Sequence, residues 1–213
     1  EFLEAHKQLI ESAYILHING RHRKLMRSAM AVAKEVGTII SLDGGAQRYD
    51  EDMKPITEAS HIVIVARDYA EKYTGTTNLE DACRIIHERG AFIAGVTDGA
   101  NGSYFVWPDG TSYRCEPFSQ ATVVDTTGAG DSFHGAFLYM LTKTLCKIAD
   151  GTNTSTMNET SQSLNAIDLL HSCAHEDLEK AATFASAVAA LNTQGIGGRS
   201  PLPSLEDIKA LIG

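Results

Sequence analysis

Residues 121–137 read ATVVDTTGAGDSFHGAF, which is an apolar run, a glycine-rich loop and the beginning of an apolar helix. The apolar residues at 121–124 predict a strand, and helical spacing after the loop predicts a long helix. Glycines at 128 and 130 let backbone N–H groups approach an anion closely, and the first turn of a helix adds unpaired donors and a positive dipole end. The stretch therefore predicts a phosphoryl-binding turn between a strand and a helix.

Asp131, the last residue of this loop, is compatible with two roles. As a first-turn carboxylate it would complement the helix dipole. As a general base it would take a proton from a hydroxyl beside the bound phosphate. The local pattern alone leaves both roles open.

Strands and helices alternate along the chain before this loop. Short apolar runs predict strands, and residues spaced as on one helix face predict the helices between them, the first ended by Gly37. The turn at 108–110 predicts a β-hairpin. This rhythm predicts βαβ units and a mainly parallel, doubly wound α/β sheet with flanking helices. The strands are expected at 13–18, 38–42, 61–65, 92–96, 103–107 and 111–115.

The second half of the chain is expected to be mostly helical. The long helix should end near Cys146, and two more helices are expected at about 176–192 and 204–211. Residues 149–163 are rich in Thr, Asn and Ser, which predicts a polar surface insertion. A chain of 213 residues can bury one substantial core, so we expect a single α/β domain over 1–213.

Charge and hydropathy exclude several classes of function. The formal net charge is −9, which opposes a broad phosphate-binding surface, so nucleic acid is not expected as a partner. No apolar stretch reaches the roughly 20 residues that span a bilayer, and the first residues lack the pattern of a signal peptide. We therefore expect a cytoplasmic protein without a membrane partner.

The four cysteines are widely spaced and form no C-x-x-C pair, which argues against a zinc ribbon or a redox motif. His171, Cys173 and His175 form an H-x-C-x-H pattern that could suggest a metal site. Three ligand types in a polar loop without a fourth partner are more often incidental. Reduced, structural thiols are the simpler interpretation.

Residues 125–137 resemble the second signature of the PfkB, or ribokinase-type, carbohydrate kinases. The resemblance implies a ribokinase-like fold, ATP as phosphoryl donor, Mg²⁺, and a small sugar as acceptor. It also implies that the backbone of Gly128, Ala129 and Gly130 forms the anion hole and that Asp131 is the catalytic base.

Two other segments resemble nucleotide-binding parts of that family. Residues 96–102 are similar to its T-x-G-x-x-G turn, and residues 184–187 are similar to the helix that walls the adenine pocket. Alone, the first is more often a plain turn and the second a plain alanine-rich helix. The resemblance places the nucleotide against Thr97, Gly99, Gly102 and Ser186.

Within the family, residues 15–21 and 66–72 resemble the ketohexokinase branch. Many members carry N-x-x-E to organise Mg²⁺, whereas Ala66 and Tyr69 occupy those positions here. Mg²⁺ is then expected to be held mainly by the ATP phosphates and water, with help from Asp125.

The residues leave the roles of Asp125 and Arg48 undecided. Asp125 could serve Mg²⁺, or it could serve the monovalent-cation site, for K⁺, of related kinases together with the backbone near Gly195 and Gly197. Arg48 follows a predicted strand end, where it could reach a phosphate or remain a solvated surface residue.

In the family, the first strands, a β lid, a Gly-Gly-Asn segment and a sugar-gripping acid belong to a portion that would precede residue 1. We therefore expect the C-terminal portion of a kinase, which alone could be inactive, and a homodimer for the full-length protein. The sequence predicts phosphorylation of a sugar hydroxyl, with a ketohexose as one acceptor. The alternative is a nucleotide-binding fragment or pseudokinase without phosphotransfer.

Overall fold

The computed structural model describes residues 2–118, 122–154, 165–199 and 202–213. Within these ranges the strands form one six-stranded sheet in which each strand lies beside its successor in sequence. The strands are β1 (Ile15–Ile18), β2 (Ile39–Gly44), β3 (Ile62–Ala66), β4 (Ile93–Thr97), β5 (Ser103–Val106) and β6 (Ser112–Cys115). The helices are α1 (Phe2–Glu11), α2 (Arg23–Val36), α3 (Lys54–Glu58), α4 (Arg67–Thr74), α5 (Leu79–Glu88), α6 (Ala129–Thr154), α7 (Ala166–His171), α8 (His175–Asn192) and α9 (Leu205–Ile212).

The sheet is parallel from β1 to β4 and antiparallel from β4 to β6. The predicted α/β class, with a mainly parallel sheet and a hairpin after its fourth strand, is confirmed. The inner parallel strands are buried along their length, as expected for strands covered on both faces.

The helices cover the two faces of the sheet in two groups. From β1 to β4 each strand is added on the same side of the previous one, and right-handed connections then place their helices on one face of the sheet. Helices α2 to α5 share a core with that face. The second core, which includes Phe105 and Phe137, lies between the opposite face and helices α6 to α9. One sheet thus separates two apolar layers.

Two predicted boundaries differ from the structure. Helix α6 continues past Cys146 to Thr154, since Ile148 and Ala149 pack against the second core, so the predicted polar insertion at 149–163 begins inside a helix. Its remainder, from 155, lies outside the described residues.

The predicted strand at 121–124 is also wrong for its described part. Val123 and Val124 are exposed and belong to no strand. The backbone N–H of Val124 donates instead to the carbonyl of Thr193, 2.8 Å away, in the residue that follows α8. This backbone contact joins the segment to a loop rather than to the sheet.

The fold brings the carboxyl ends of the parallel strands to one edge of the sheet. The register pairs Gly44 with Val65 and Ala66 with Thr97, so the ends of β2, β3 and β4 lie side by side. Ligands of open α/β sheets bind beyond this edge. No helix in the described ranges has the length and apolar character needed to cross a membrane.

Helix α6 begins at the same edge, and aromatic packing fixes its rotation. The rings of Phe133 and Phe137 stack on Phe105 of β5, with centroids 6.4 and 5.8 Å apart respectively. Because these two residues face the sheet, Asp131 and Gly135 face outward and are exposed.

Candidate active site

The loop before α6, residues 125–128, is tied to the loop after α8 through Asp125. One Asp125 carboxylate oxygen accepts from the N–H of Thr127 at 2.8 Å, and the other accepts from the N–H of Gly197 at 2.9 Å. These backbone donors lower the pKa of Asp125, so the side chain is a carboxylate at neutral pH. Asp125 therefore brings the two glycine-containing loops together and places a carboxylate between them.

Gly128 is the point of closest approach between these loops. Its φ of +81° lies in the left-handed region, and a Cβ atom there would overlap the Cα of Gly198. Only glycine meets both requirements without displacing the neighbouring backbone.

The first turn of α6 presents unpaired donors beside this contact. The N–H of Ala129 is bonded to the carbonyl of Thr126 at 3.2 Å, whereas no backbone carbonyl of the described residues accepts from Gly130 or Asp131. A Cβ at Gly130 would meet no atom within 4 Å. The turn therefore offers N–H groups to an open space, which suits an anion.

Asp131 stands next to these donors and is exposed. We call the open space beside this turn, beyond the carboxyl ends of β2 to β4, the groove. The following residues Ser132, Phe133 and His134 are buried and hold the turn against the sheet. A carboxylate in this position can accept a proton from a hydroxyl group that lies beside an anion bound to the turn.

A polar cluster that sequence reasoning missed lies beneath this turn. We call His17, Asp43, Arg48 and His134 the sheet-edge cluster. The two oxygens of Asp43 contact His134 Nε2 at 3.3 Å and Arg48 Nη1 at 3.2 Å. The His17 ring lies 5.5 Å from the His134 ring, and its Nδ1 is 3.2 Å from the hydroxyl of Ser41.

The charges in the sheet-edge cluster act on one another. Burial would raise the pKa of Asp43, but the hydrogen bond from His134 and the charge of Arg48 outweigh it and lower that pKa. Burial lowers the pKa of His17 and the neighbouring His134 adds to this, against the opposite pull of Asp43 and Asp131. A carboxylate at Asp43 is thus the stable form at neutral pH.

Arg48 is a member of this cluster through Nη1 of its guanidinium group. Its Nη1 donates to Asp43 and, at 3.1 Å, to the carbonyl of Asn19. Because a guanidinium group has five N–H donors, contact of the others with a phosphate remains a prediction.

The predicted nucleotide turn closes at the end of β4. Thr97 is the last residue of that strand, and the N–H of Asp98 donates to the carbonyl of Gly102 at 2.9 Å. Gly99 and Gly102 both have positive φ, and a Cβ at Gly102 would overlap the carbonyl oxygen of Cys115. The turn thus requires glycine at its last position.

Cys115 also connects this turn to Ser186 of α8. The Ser186 hydroxyl lies beside the Cys115 thiol, whose pKa is raised by burial. The structure therefore gathers Gly102 and Ser186 on two sides of one residue. Their contact with a nucleotide remains a prediction.

Exposed apolar side chains line the two loops that Asp125 joins. Val123, Val124 and Ile196 are 61%, 52% and 79% exposed. The sequence did not reveal that Val123 and Val124 are exposed, because the predicted strand at 121–124 implies that its apolar residues are buried. Such a rim can cover the face of a flat heterocycle.

Two other sequence patterns lie away from the groove. Tyr69 is fully buried, and its hydroxyl is 2.7 Å from that of Thr57, while burial raises its pKa to about 12. In the H-x-C-x-H segment, His175 contacts Asp109 and His171 packs on Phe92. No three His, Cys, Asp or Glu side chains of the described residues are arranged to hold a metal ion.

Comparison with protein families shows which family the chain belongs to. The family model described as "pfkB family carbohydrate kinase" matches residues 1–205. The chain belongs to the pfkB family of carbohydrate kinases. Among curated members, it is 23% identical over 219 residues to 5-dehydro-2-deoxygluconokinase of Shouchella clausii, covering 95% of this chain and 57% of that protein. It is 28% identical to probable fructokinase-5 of Arabidopsis thaliana, covering 98% and 61%.

Solved structures of pfkB kinases share the fold. Ribokinase of Arabidopsis thaliana, complexed with ribose and ATP, superposes with a TM-score of 0.71 at 20% identity, covering 98% of this chain and 59% of that one. A Vibrio cholerae fructokinase variant, bound to fructose, ADP and potassium ion, gives 0.70 at 21% identity, covering 94% and 61%. The pfkB chain described here thus spans about three fifths of the length of these relatives.

Proposed function

We propose that this pfkB-family chain carries the phosphoryl-transfer site of an ATP-dependent carbohydrate kinase. The observation that carries the proposal is the open first turn of α6, where Gly130 and Asp131 present N–H groups without a backbone acceptor among the described residues. Asp131 places a carboxylate at the same turn. Anion donors and a base side by side are what transfer to a hydroxyl needs.

In the proposed reaction, the carboxylate of Asp131 takes the proton of a sugar hydroxyl. The hydroxyl oxygen bonds to the γ-phosphorus as the bond from that phosphorus to the β-phosphate oxygen breaks, and ADP leaves. The backbone of Gly128, Ala129 and Gly130 forms the anion hole that stabilises charge on the transferring group. Asp131 thus acts as general base.

ATP is proposed to lie across the turn at 97–102 and the loops joined by Asp125. Thr97, Gly99 and Gly102 would contact its phosphates and ribose, with Ser186 on the opposite wall. Val123 and Ile196 support this placement, because exposed apolar groups on both loops would be covered by a flat base.

Mg²⁺ fits the site as an ion whose ligands come largely from the nucleotide phosphates and water. Asp125 is a carboxylate at the two loops, and its lowered pKa keeps it ionised. When bound, Mg²⁺ would neutralise developing phosphate charge. The same carboxylate and the backbone of 195–197 are alternatively proposed to hold K⁺, an ion bound in the Vibrio cholerae fructokinase complex.

We propose a sugar as acceptor, with a ketohexose as the first candidate. Asn19 at the end of β1 and the absence of N-x-x-E at Ala66 and Tyr69 support it through their resemblance to ketohexokinases. The similarity to a probable fructokinase points the same way. The acceptor would lie next to Asp131 on the side away from the nucleotide, near the carboxyl ends of β1 and β2.

The proposal is tested by Asp131→Asn in the full-length gene product, with ketohexoses, ribose and related sugars as acceptors. Loss of the base should lower kcat by about 10²- to 10⁴-fold. The Kd for ATP should change little, because asparagine preserves the size of the side chain and the N–H donors.

The matched control is Asp81→Asn, which removes an exposed first-turn carboxylate from α5. If Asp131→Asn kept its kcat and lost only the small stability seen in the control, Asp131 would be a dipole complement and not a base. ATP binding by the wild-type protein without transfer to any sugar would favour the pseudokinase alternative.

A further inference from the structure

We infer that His134 is a positioning residue: through Asp43 it anchors the first turn of α6 to the sheet and so holds the Asp131 carboxylate at the groove. This inference rests on the proposed function of Asp131. It assigns a role to the sheet-edge cluster, which the proposed reaction does not otherwise use.

The contact between His134 and Asp43 is enclosed. Their side chains are 6% and 8% exposed, and Nε2 lies 3.3 Å from the Asp43 oxygen. Because the other oxygen of Asp43 is taken by Arg48, the carboxylate cannot turn away without breaking a second charge-assisted contact. Asp43 is therefore a fixed acceptor on β2 to which the helix is attached.

The spacing along α6 connects this attachment to the base. His134 follows Asp131 by three residues, so the two side chains lie one turn apart on neighbouring positions of the helix surface. Phe133 attaches the same turn to Phe105 on β5. Attachments to β2 and β5 together restrict rotation and sliding of the turn, and a displacement of about 1 Å can lower a rate by about 10²-fold.

The groups around His134 show why a purely structural role explains it poorly. His17 faces it from β1, Asp43 from β2, Arg48 from the segment after β2, and Asp131 precedes it on α6. Its Nδ1 is buried without a hydrogen-bond partner among the described residues. A buried pair with an unpaired nitrogen adds little to folding stability, and an apolar side chain of similar volume often does as well.

The test compares His134→Asn with His134→Gln in the full-length gene product. The glutamine amide nitrogen can lie near the position of Nε2 and donate to Asp43, whereas the shorter asparagine amide cannot reach it. We expect His134→Asn to lower kcat on the order of 10- to 10²-fold with little change in the Kd for ATP, and His134→Gln to recover most of the loss.

Leu141→Val is the matched control, since it alters a buried apolar residue of α6 two turns after His134. It should lower the melting temperature and leave kcat per folded molecule unchanged. Wild-type kcat in both His134 variants, or an equal loss in both, would overturn the inference.

Asp131→Asn is measured in the same series to distinguish failure of the proposed function from failure of the positioning role of His134. Normal kcat in Asp131→Asn would remove the proposed function itself. A loss in Asp131→Asn together with wild-type kcat in the His134 variants would remove only the positioning role. If the asparagine variant failed to fold while the glutamine variant retained kcat, folding rather than positioning would be the role of His134.

Discussion

His61 and His134 lie at opposite edges of the same sheet, and their surroundings differ. At the amino-terminal edge, His61 Nδ1 accepts the N–H of Ile40 at 2.9 Å, and its ring stacks on Phe92. At the carboxyl edge, His134 contacts Asp43 through one nitrogen, and its other nitrogen has no partner among the described residues. One histidine completes the backbone hydrogen bonding of the sheet, and the other belongs to a charged cluster below a groove.

This difference extends to the backbone. At the amino-terminal edge, the N–H groups of Phe92 and Ile93 both donate to the carbonyl of His61. At the carboxyl edge, the first turn of α6 leaves the N–H groups of Gly130 and Asp131 without a backbone acceptor in the described ranges. The first turn of a helix leaves such donors free for an anion, and here they lie beside Asp131 and the joined loops, so this is the edge where a ligand is expected.

The largest effect is expected from Gly128→Ala at the carboxyl edge. The new Cβ would overlap Gly198 and would force alanine into a left-handed conformation, which costs about 1–3 kcal/mol of folding stability. Separation of the two loops should lower kcat/KM for ATP by about 10²-fold.

Steady-state kinetics and urea unfolding of the full-length gene product measure both quantities. Gly135→Ala, in the same helix, is the control. Its new Cβ would meet no atom within 4 Å, and alanine in place of glycine should stabilise the helix by roughly 0.5–1 kcal/mol. Unchanged kinetics in Gly128→Ala would show that loop contact is irrelevant to the groove.

A smaller effect, on acid stability, is expected from His61→Asn at the amino-terminal edge. Burial and the charges of His171 and Lys34 lower the pKa of His61 in the folded state. The unfolded chain therefore binds the proton first, so this contribution to stability is complete above a pH of about 6.5 and declines as the pH falls below it.

Asparagine can still accept the N–H of Ile40 but does not titrate. The free energy of unfolding should thus fall less between pH 7 and pH 5 in the variant than in the wild type, whatever its value at pH 7. His17 remains in both proteins, and its contribution cancels in the comparison. Equal slopes would show that His61 is not held neutral.

The smallest effect is expected from Tyr69→Phe. Tyr69 follows the end of β3, yet its hydroxyl is paired with Thr57 and fully buried. Thr57 retains its bond to the carbonyl of Met53, so the change should lower stability by only about 0.5–1.5 kcal/mol. Turnover should be unchanged, and a large loss of kcat would reveal a direct role of the tyrosine at the groove.

The elements that the sequence predicts best are those with local signals. Asn78 accepts from the N–H groups of Glu80 and Asp81 at the start of α5, and Gly37 adopts a positive φ at the end of α2. Cap residues and helical periodicity depend only on near neighbours, so their patterns are visible in the sequence.

The features that the sequence did not predict depend on distant partners. The apolar pattern of Val123 and Val124 predicts a strand, but the backbone N–H of Val124 donates to a carbonyl in the loop that follows α8. His134 and Asp43 lie far apart in the chain, and nothing in either local pattern indicates that they meet. A histidine one turn after Asp131, in an otherwise apolar stretch, was the only available signal.

The sequential order of the strands has a consequence for synthesis on the ribosome. Each strand pairs with the one made just before it, so the sheet can extend as the chain emerges, with little loop entropy at each step. Among the described residues, helices made later, α6 to α9, cover the face that carries Phe105 and Trp107. Until those helices emerge, this apolar face lacks their cover, and exposed apolar surface makes a folding intermediate prone to aggregate.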